Sequence, residues 1–281
     1  MISTLNHMIL AKPKRRSIFA DRLVAFADFV SDDLAAFERR GQWQAFFRGR
    51  IGAAFDGRII FEIGCADAAS LCSMAAKHPT FGFVGLDWKY KQIFTGAQQV
   101  AAMKLRNVAL LRARAQDLRQ IFADGEIDEM LIFHPEPCDR PEEAANRLLT
   151  APFLIDAHHV LRDRGSISLK TDHAGYYQWM LSRLGLSEPD WLAPGATRVR
   201  TRDLIRHEDL PPTNTEILNR FEVAANSRDY WNDPVTIAYT AGRCFAGEVT
   251  MFEHRFMKKR QPIFYLEFKK RLQADRVSTS R

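Results

Sequence analysis

Residues 59–70 read Ile-Ile-Phe-Glu-Ile-Gly-Cys-Ala-Asp-Ala-Ala-Ser, and this stretch decides the fold. The apolar run 59–63 ends at Gly64, as is typical of a buried strand in a parallel sheet. The residues that follow favour a helix over 68–77. A buried strand that passes through a tight loop into a helix begins a βαβ unit, so the stretch predicts an α/β protein.

The same alternation of strands and helices continues along the chain. Further strands are predicted at 81–86, 108–111, 127–133, 166–171 and 262–268. Further helices are predicted at 89–104, 116–122, 142–161 and 174–184, with Pro152 marking a break inside the third. Such alternation predicts right-handed crossovers and a doubly wound, mostly parallel sheet that is covered on both faces.

Four regions are expected. Residues 1–57 are predicted to be an N-terminal helical extension, and residues 58–186 the ligand-binding core. Residues 187–248 are rich in polar residues and proline and are interpreted as an insertion that forms a lid. Its aromatic residues would enclose a flat ligand or, alternatively, pack only on one another; they are Trp191, Tyr230, Trp231 and Tyr239. Residues 249–281 carry the last strand and a basic tail.

Composition restricts the class of protein without identifying a partner. The chain has 281 residues and a formal net charge of +6, which permits a nucleic-acid partner. Basic clusters occur at 12–16, 112–114, 198–206 and 258–260. No apolar run reaches membrane-span length, and apolar residues precede the first basic cluster, the reverse of a secretory signal; we therefore expect a cytoplasmic protein. The four cysteines lack zinc-site spacing, so reduced thiols and no metal are expected.

An acidic residue lies at or just beyond the end of each of the first five strands of the predicted core. These residues are Glu62, Asp87, Asp117, Glu136 and Asp172. In an open α/β sheet, ligands bind at the carboxyl ends of the strands. A dinucleotide needs a Gly-x-Gly-x-x-Gly loop, which is missing, and Asp67 would repel its pyrophosphate. S-adenosyl-L-methionine carries a sulfonium and an ammonium group, and it suits this acidic edge.

Specific residues can be assigned to that cofactor. Glu62 can pair with its ammonium group, while Gly64 and Ala66 are small enough for close approach. Asp87 can bind both ribose hydroxyls; the alternative is that it caps the helix at 89–104. Four further candidates lie at strand ends. Trp88 follows the second strand, Ala115 and Gln116 follow the third, and Phe133 ends the fourth.

Five segments resemble, in the same order, the motifs of the tRNA (guanine-N7)-methyltransferase family. They are residues 61–70, 83–87, 133–137, 171–172 and 250–253. The resemblance covers 58–184 and 249–268, and its best mark is the Pro-Glu-Pro turn combined with a late Thr-x-x-Glu. It implies a class I, Rossmann-like methyltransferase with a seven-stranded sheet. It also implies that Asp172, Thr250 and Glu253 hold the target guanine, and that Glu136 replaces the aspartate of the family's Pro-Asp-Pro turn.

The chain departs from the family in four respects. Ala66 and Ala68 stand where the family loop has glycines, and residues 138–147 carry Glu142 and Glu143 where the family is basic. Near Arg114 the family has an acidic residue on the adenine side, and we expect Gln116 or Asp117 to replace that contact. Finally, the interval between the fifth-strand motif and the late Thr-x-x-Glu is longer than the family leads us to expect.

These departures lead to three hypotheses about the methyl acceptor. The first is a small heterocycle, guanine-like or pteridine-like, that is methylated on a ring nitrogen. The second is guanine N7 in tRNA, with the basic clusters 198–206 and 12–16 replacing the missing basic run. The third is an inactive homologue that binds RNA or a protein partner. A monomer or homodimer is expected, and His134 is either a base or, preferably, a histidine satisfied at a strand end.

Overall fold

The computed structural model describes residues 17–138, 140, 143, 146–186, 204–242 and 245–272. Within them, one sheet has the strand order β1-β4-β3-β2-β5-β6-β8-β7. Its strands are β1 Val30–Asp32, β2 Ile59–Ile63, β3 Gly82–Asp87, β4 Val108–Arg112, β5 Ile127–Phe133, β6 Leu161–Thr171, β7 Phe221–Ser227 and β8 Phe264–Lys270. The strands β1 to β6 pair in parallel, whereas β8 runs antiparallel to both β6 and β7.

Helices cover both faces of this sheet. They are α1 Ile18–Arg22, α2 Asp33–Glu38, α3 Trp43–Ile51, α4 Ala69–Lys77, α5 Tyr90–Ala102, α6 Leu118–Ile121, α7 Ala151–Val160, α8 Ala174–Arg183, α9 Thr215–Leu218, α10 Pro234–Thr240 and α11 Met251–Lys258. Neighbouring residues of β2 enter different cores: Phe61 packs with α3 and α7, while Ile60 packs with α4 and α5. Burial on both faces explains why β2 is apolar throughout.

The predicted parallel α/β core is confirmed, with two differences in its helices and strands. The helix expected over 142–161 begins only at Ala151, because Thr150 is its N-cap and Pro152 sits in its first turn, where proline is tolerated. The short strand β1 pairs with β4 and extends the sheet to eight strands instead of seven. It has only three residues, too few for a periodic signal.

The region 187–248 is partly a component of the sheet. Residues 187–203, including Trp191, lie outside the described residues. Phe221–Ser227 forms β7 and pairs with β8, so part of the predicted insertion supplies an edge strand. Only Phe221 and Ser227 of this strand are buried, which left too weak an alternation for the sequence to indicate a strand.

The order of the strands sets the position of the functional crevice. The chain runs from β2 outward through β3 to β4, then returns to β5 on the other side of β2. The carboxyl ends of β2 and β5 therefore flank the switch point where ligands bind in open α/β sheets. Among the described residues, no helix has both the length and the apolar character needed to cross a bilayer.

Candidate active site

The loop after β2 has the backbone of a glycine-rich turn although only its first position is glycine. Gly64 has a φ of 76°, and the N–H groups of Gly64 and Cys65 donate to the Leu86 carbonyl at 2.7 and 3.0 Å. Ala66 and Ala68 have φ values of 49° and 59°, in the left-handed region that glycine favours. Their methyl groups therefore strain the loop without changing its path, because L-residues pay about 1–2 kcal/mol in this region.

A cleft of about 370 Å³ opens at the carboxyl ends of β2, β3 and β4, and is called the cofactor cleft. Its walls include five of the predicted cofactor residues, namely Gly64, Asp87, Trp88, Ala115 and Gln116. The other three candidates, Glu62, Ala66 and Phe133, do not line it, although Glu62 directly precedes Ile63 and Gly64 of its wall. Arg114 also contributes to the wall, at the place where the family resemblance implies an acidic residue.

Asp87 is held at the mouth of the cofactor cleft. Its Oδ1 accepts the Lys89 N–H at 2.8 Å. Burial raises the pKa of Asp87, and the Lys89 amide and ammonium oppose that rise. The N-cap of α5 is Lys89 itself, so Asp87 closes a turn ahead of the helix without being its cap residue.

Glu62 carries an unsatisfied carboxyl oxygen inside the protein. The residue is 4% exposed, and its Oε2 is buried without a hydrogen-bond partner. Burial, together with the negative charge of Asp67, raises the pKa of Glu62 to about 8. An unpaired buried carboxylate is costly, so a bound cation would relieve this site. The donor set therefore fits a cofactor that brings an ammonium group.

On the other side of the switch point, Lys170 and Glu253 form a fully buried ion pair. Lys170 Nζ lies 2.7 Å from Glu253 Oε1, and both side chains have no exposed surface. The same ammonium donates to the Glu248 carbonyl at 2.8 Å. Aromatic rings approach it at 5.0–5.1 Å, from Phe133, Tyr230 and Trp231. Lys170 thereby holds both Glu248, in the segment before α11, and Glu253, in the first turn of that helix.

Thr250 and Glu253 begin α11 with a capping box. Glu253 Oε2 accepts the Thr250 N–H at 2.7 Å, while Thr250 Oγ1 accepts the Glu253 N–H at 3.1 Å. The Trp231 indole N–H donates to Glu253 Oε1 at 3.2 Å. Burial acts to raise the pKa of Glu253, but His134, Lys170 and the backbone lower it to about 2. The Thr-x-x-Glu motif thus has a structural role beside the one that the family resemblance implies.

His134 lies between the two carboxylates that are predicted to hold the guanine. Its Nδ1 is 3.5 Å from Asp172 Oδ1, and its Nε2 is 4.0 Å from Glu253 Oε2. The side chain is 7% exposed, and neither nitrogen makes a hydrogen bond. Burial opposes protonation, yet the carboxylates of Asp172 and Glu253 outweigh it and raise the pKa of His134. His134, Asp172 and Glu253 are called the acceptor cluster below.

Asp172 belongs to the acceptor cluster, whereas Glu136, the other predicted acidic residue, makes no hydrogen bond or ion pair with it. Asp172 Oδ2 accepts a hydrogen bond from Gln261 at 3.3 Å, and the side chain keeps 19% of its surface exposed. Asp172 is therefore the carboxylate that a ligand can reach. Glu136 is exposed in the turn after β5 and makes no hydrogen bond or ion pair with a described residue, so the structure does not bring it into the acceptor cluster.

From the sequence, no site role was predicted for Lys170, and Trp231 was placed in a lid and not beside Glu253. Each ring nitrogen of His134 has a carboxylate within 4.0 Å but makes no hydrogen bond, so its role as a base or as a satisfied histidine stays a prediction. Lys170 offered a signal, because a lysine inside a buried strand needs a partner. Trp231 offered none, since its contact with Glu253 joins residues that are distant in the chain.

The chain is similar to known methyltransferases in sequence. A family model described as "Putative methyltransferase" matches residues 56–198. The chain is 30% identical over 164 residues to a tRNA (guanine-N(7)-)-methyltransferase of Geobacillus thermodenitrificans, covering 58% of this chain and 72% of that protein. It is 28% identical over 167 residues to a protein of the same name from Limosilactobacillus reuteri, covering 59% and 75%.

Two further matches extend the comparison. A bifunctional glycosyltransferase/methyltransferase of Fusobacterium nucleatum is 25% identical over 176 residues, which is 62% of this chain but spans only 26% of that relative. Among solved structures, a 16S rRNA methyltransferase, KamB, matches with a TM-score of 0.49 and 16% identity, over 81% of this chain and 94% of that one.

Proposed function

The chain belongs to the tRNA (guanine-N7)-methyltransferase family of S-adenosyl-L-methionine-dependent enzymes, and from that premise we propose that it methylates N7 of a guanine in RNA, with tRNA as the substrate class. The observation that carries the proposal is the acceptor cluster, in which Asp172 and Glu253 flank His134. It stands at the carboxyl ends of β5 and β6, on the other side of β2 from the cofactor cleft.

Asp172, the accessible carboxylate of the acceptor cluster, matches the chemistry of a guanine edge, while the fully buried Glu253 contributes negative charge from within the protein. Guanine presents N1–H and an exocyclic amine, which are donors that carboxylates accept. Alkylation of N7 leaves a positive charge on the purine, and fixed carboxylates near the ring stabilise that charge as it develops. Since N7 carries no proton, the reaction needs no base, and positioning of the acceptor is the main task of these residues.

The cofactor cleft would hold the methyl donor. S-adenosyl-L-methionine supplies an electrophilic methyl group when it is bound. Glu62 would pair with its ammonium group, and Asp87 with its ribose hydroxyls. Gln116 is the available polar partner on the adenine side, since it lines the cleft beside Arg114.

The hypothesis of a small heterocyclic substrate loses part of its support. It relied on the acidic residues Glu142 and Glu143 and on an aromatic lid in 187–248. Tyr230, however, is 1% exposed and packs against Trp231 and Tyr265. Trp231 donates to Glu253, and the Tyr239 hydroxyl accepts from Lys269 at 2.9 Å. These three side chains are engaged in packing and hydrogen bonds, and the names of the tRNA-modifying relatives favour RNA.

A competition between acceptors tests this proposal. The purified chain is incubated with methyl-labelled S-adenosyl-L-methionine and one acceptor at a time: unmodified tRNA transcript, GTP or a pteridine. We expect label in tRNA only. Label in GTP or the pteridine with none in tRNA would restore the small-molecule hypothesis. Binding of S-adenosylhomocysteine without transfer to any acceptor would favour an inactive homologue.

A further inference from the structure

The outward surface of α11 is strongly basic. Arg255 and Lys258 lie in the helix, Lys259 is its C-cap and Arg260 follows it. All four side chains are exposed, and none forms an ion pair with a described residue. The only acidic residue of the helix, Glu253, is fully buried and paired with Lys170. The cations therefore face solvent without a neutralising partner on their own helix.

Exposed apolar side chains accompany these cations. Met251, Phe252 and Met257 keep 48%, 44% and 43% of their surface exposed. The Phe252 ring is centred 6.2 Å from the His134 ring, so this aromatic side chain borders the acceptor cluster. An exposed aromatic ring beside unpaired cations is the combination that binds unpaired nucleotides, through base stacking and phosphate neutralisation.

The helix orders these groups along one side that begins at Phe252, next to the acceptor cluster. Phe252, Arg255 and Lys259 are separated by three and four positions, so they share one side of the helix. At 1.5 Å per residue, the path from Phe252 to Lys259 is about 10 Å long. The capping box and the Lys170–Glu253 pair hold the start of this path in place.

The turn after β5 does not offer an equivalent basic surface among its described residues. Arg140 is the cation in that segment, and its guanidinium is paired with Glu143. The same pairing raises the pKa of Arg140 and lowers that of Glu143. An RNA strand would thus meet a cation already neutralised by a carboxylate beside the Pro-Glu-Pro turn, but on α11 it would meet cations without an acidic partner among the described residues.

We propose that Phe252, Arg255, Lys258, Lys259 and Arg260, termed the α11 surface, bind the RNA strand next to the target guanine. Phe252 stacks on a base that neighbours the target, and the cations neutralise phosphates of that strand. The inference rests on the proposed function for its partner, but it assigns RNA binding to a surface of this chain that neither the family motifs nor the acceptor cluster includes.

The number of phosphate contacts is measurable from the salt dependence of binding. The full-length chain is titrated against a fluorescein-labelled tRNA transcript at several KCl concentrations. Each phosphate contact contributes about 0.7–0.9 to the slope of log K against log salt. A variant with Arg255→Gln, Lys258→Gln and Lys259→Gln is expected to lower the slope by about 2 and to bind roughly tenfold more weakly, or worse, at intermediate salt.

The matched control removes the same charge from the opposite side of the sheet. Arg48→Gln, Lys104→Gln and Arg106→Gln alter exposed cations near the amino ends of β2 and β4, away from the acceptor cluster. This control should keep the slope of the natural chain. A second variant, Phe252→Ala, should weaken binding while leaving the slope unchanged, because stacking releases no counterions. S-adenosylhomocysteine binding and the melting temperature verify that every variant is folded.

The outcomes separate this inference from the proposed function. An equal slope in the α11 variant and in the natural chain, or an equal loss in the control, would overturn the α11 surface even if tRNA is methylated. A selective loss of slope would support the surface even if the chain methylates no tRNA. Absence of tRNA binding by the natural chain at low salt would overturn the surface as well.

Discussion

The Nδ1 atom of His134 lies 3.5 Å from Oδ1 of Asp172, inside a pocket that leaves only 7% of the histidine side chain exposed. This contact connects the turn after β5 with the end of β6. A second carboxylate approaches the same ring from α11, where Glu253 Oε2 lies 4.0 Å from Nε2 of His134. A histidine with two carboxylate neighbours and no hydrogen bond sets the charge that a bound guanine meets.

The pH dependence of methyl transfer should therefore reflect His134. The carboxylates raise its pKa above the usual value despite burial. A protonated His134 opposes the positive charge that forms on the purine, so kcat should rise with pH through the raised pKa. His134→Gln should remove this rise, and a rate profile to pH 9 measures it. An identical profile in the variant would exclude His134 as the titrating group.

The same histidine should influence stability in the opposite direction. Because the folded-state pKa is raised, its contribution is present below the unfolded pKa of about 6.5 and is lost as pH rises through the folded pKa. The free energy of unfolding of the natural chain, relative to His134→Gln, should accordingly decline over that interval. Urea titrations at three pH values test the sign, and a difference that grows with pH would contradict it.

Cofactor binding should depend on the ionisation of Glu62. Burial and Asp67 raise its pKa to about 8 in the free protein, so the carboxyl is largely protonated at neutral pH. Pairing with an ammonium group favours the ionised form, and the affinity for S-adenosylhomocysteine should rise between pH 6 and about 8. Calorimetry in buffers of different ionisation enthalpy should detect proton release. Glu62→Gln should abolish both effects; retention of either would remove Glu62 from the site.

The strained loop allows a substitution that stabilises the protein. Ala66 has a φ of 49° and is only partly buried, so Ala66→Gly removes strain and loses little packing. We expect the free energy of unfolding to rise by up to about 1 kcal/mol, once the entropy of the added glycine is subtracted. The control is Ala69→Gly in the first turn of α4, which should lose about 0.5–1 kcal/mol. A loss of stability in both variants would disprove strain at Ala66.

The buried ion pair should couple the stability of α11 to β6. Lys170→Met leaves Glu253 charged and without its cation, at an expected cost of about 3–5 kcal/mol. The double variant Lys170→Met with Glu253→Gln should recover part of this loss, since no isolated charge remains. Lys104→Met, at an exposed position, is the control for the substitution itself. Additive losses in the double variant would show that the two residues do not interact.

The fold could be predicted from the sequence wherever a strand is buried on both faces. The strands at 59–63 and 127–133 have the predicted bounds, because a continuous apolar run ends abruptly at a turn. The edge strands β1 and β7 could not be predicted in this way. Edge strands face solvent on part of their surface, and β7 keeps five of its seven residues out of the core.

The candidate site was predictable where residues follow a strand directly. Gly64, Asp87 and Gln116 reach the cofactor cleft because parallel strands place their following loops at one edge. The environment of Glu253 was not predictable, since Lys170 and Trp231 approach it from β6 and from the segment before α10. Glu136, the acidic residue of the Pro-Glu-Pro turn, is exposed and makes no hydrogen bond or ion pair with the acceptor cluster among the described residues, so its catalytic role stays a prediction.

The most direct test of the central claim is the identity of the methylated atom. Unmodified tRNA transcripts are incubated with the natural chain and S-adenosyl-L-methionine, digested to nucleosides and analysed by mass spectrometry against a 7-methylguanosine standard. The account predicts 7-methylguanosine with the natural chain and a strong reduction with Asp172→Asn, whose affinity for S-adenosylhomocysteine should be unchanged. Methylation of another atom or base, or full activity of Asp172→Asn, would contradict it.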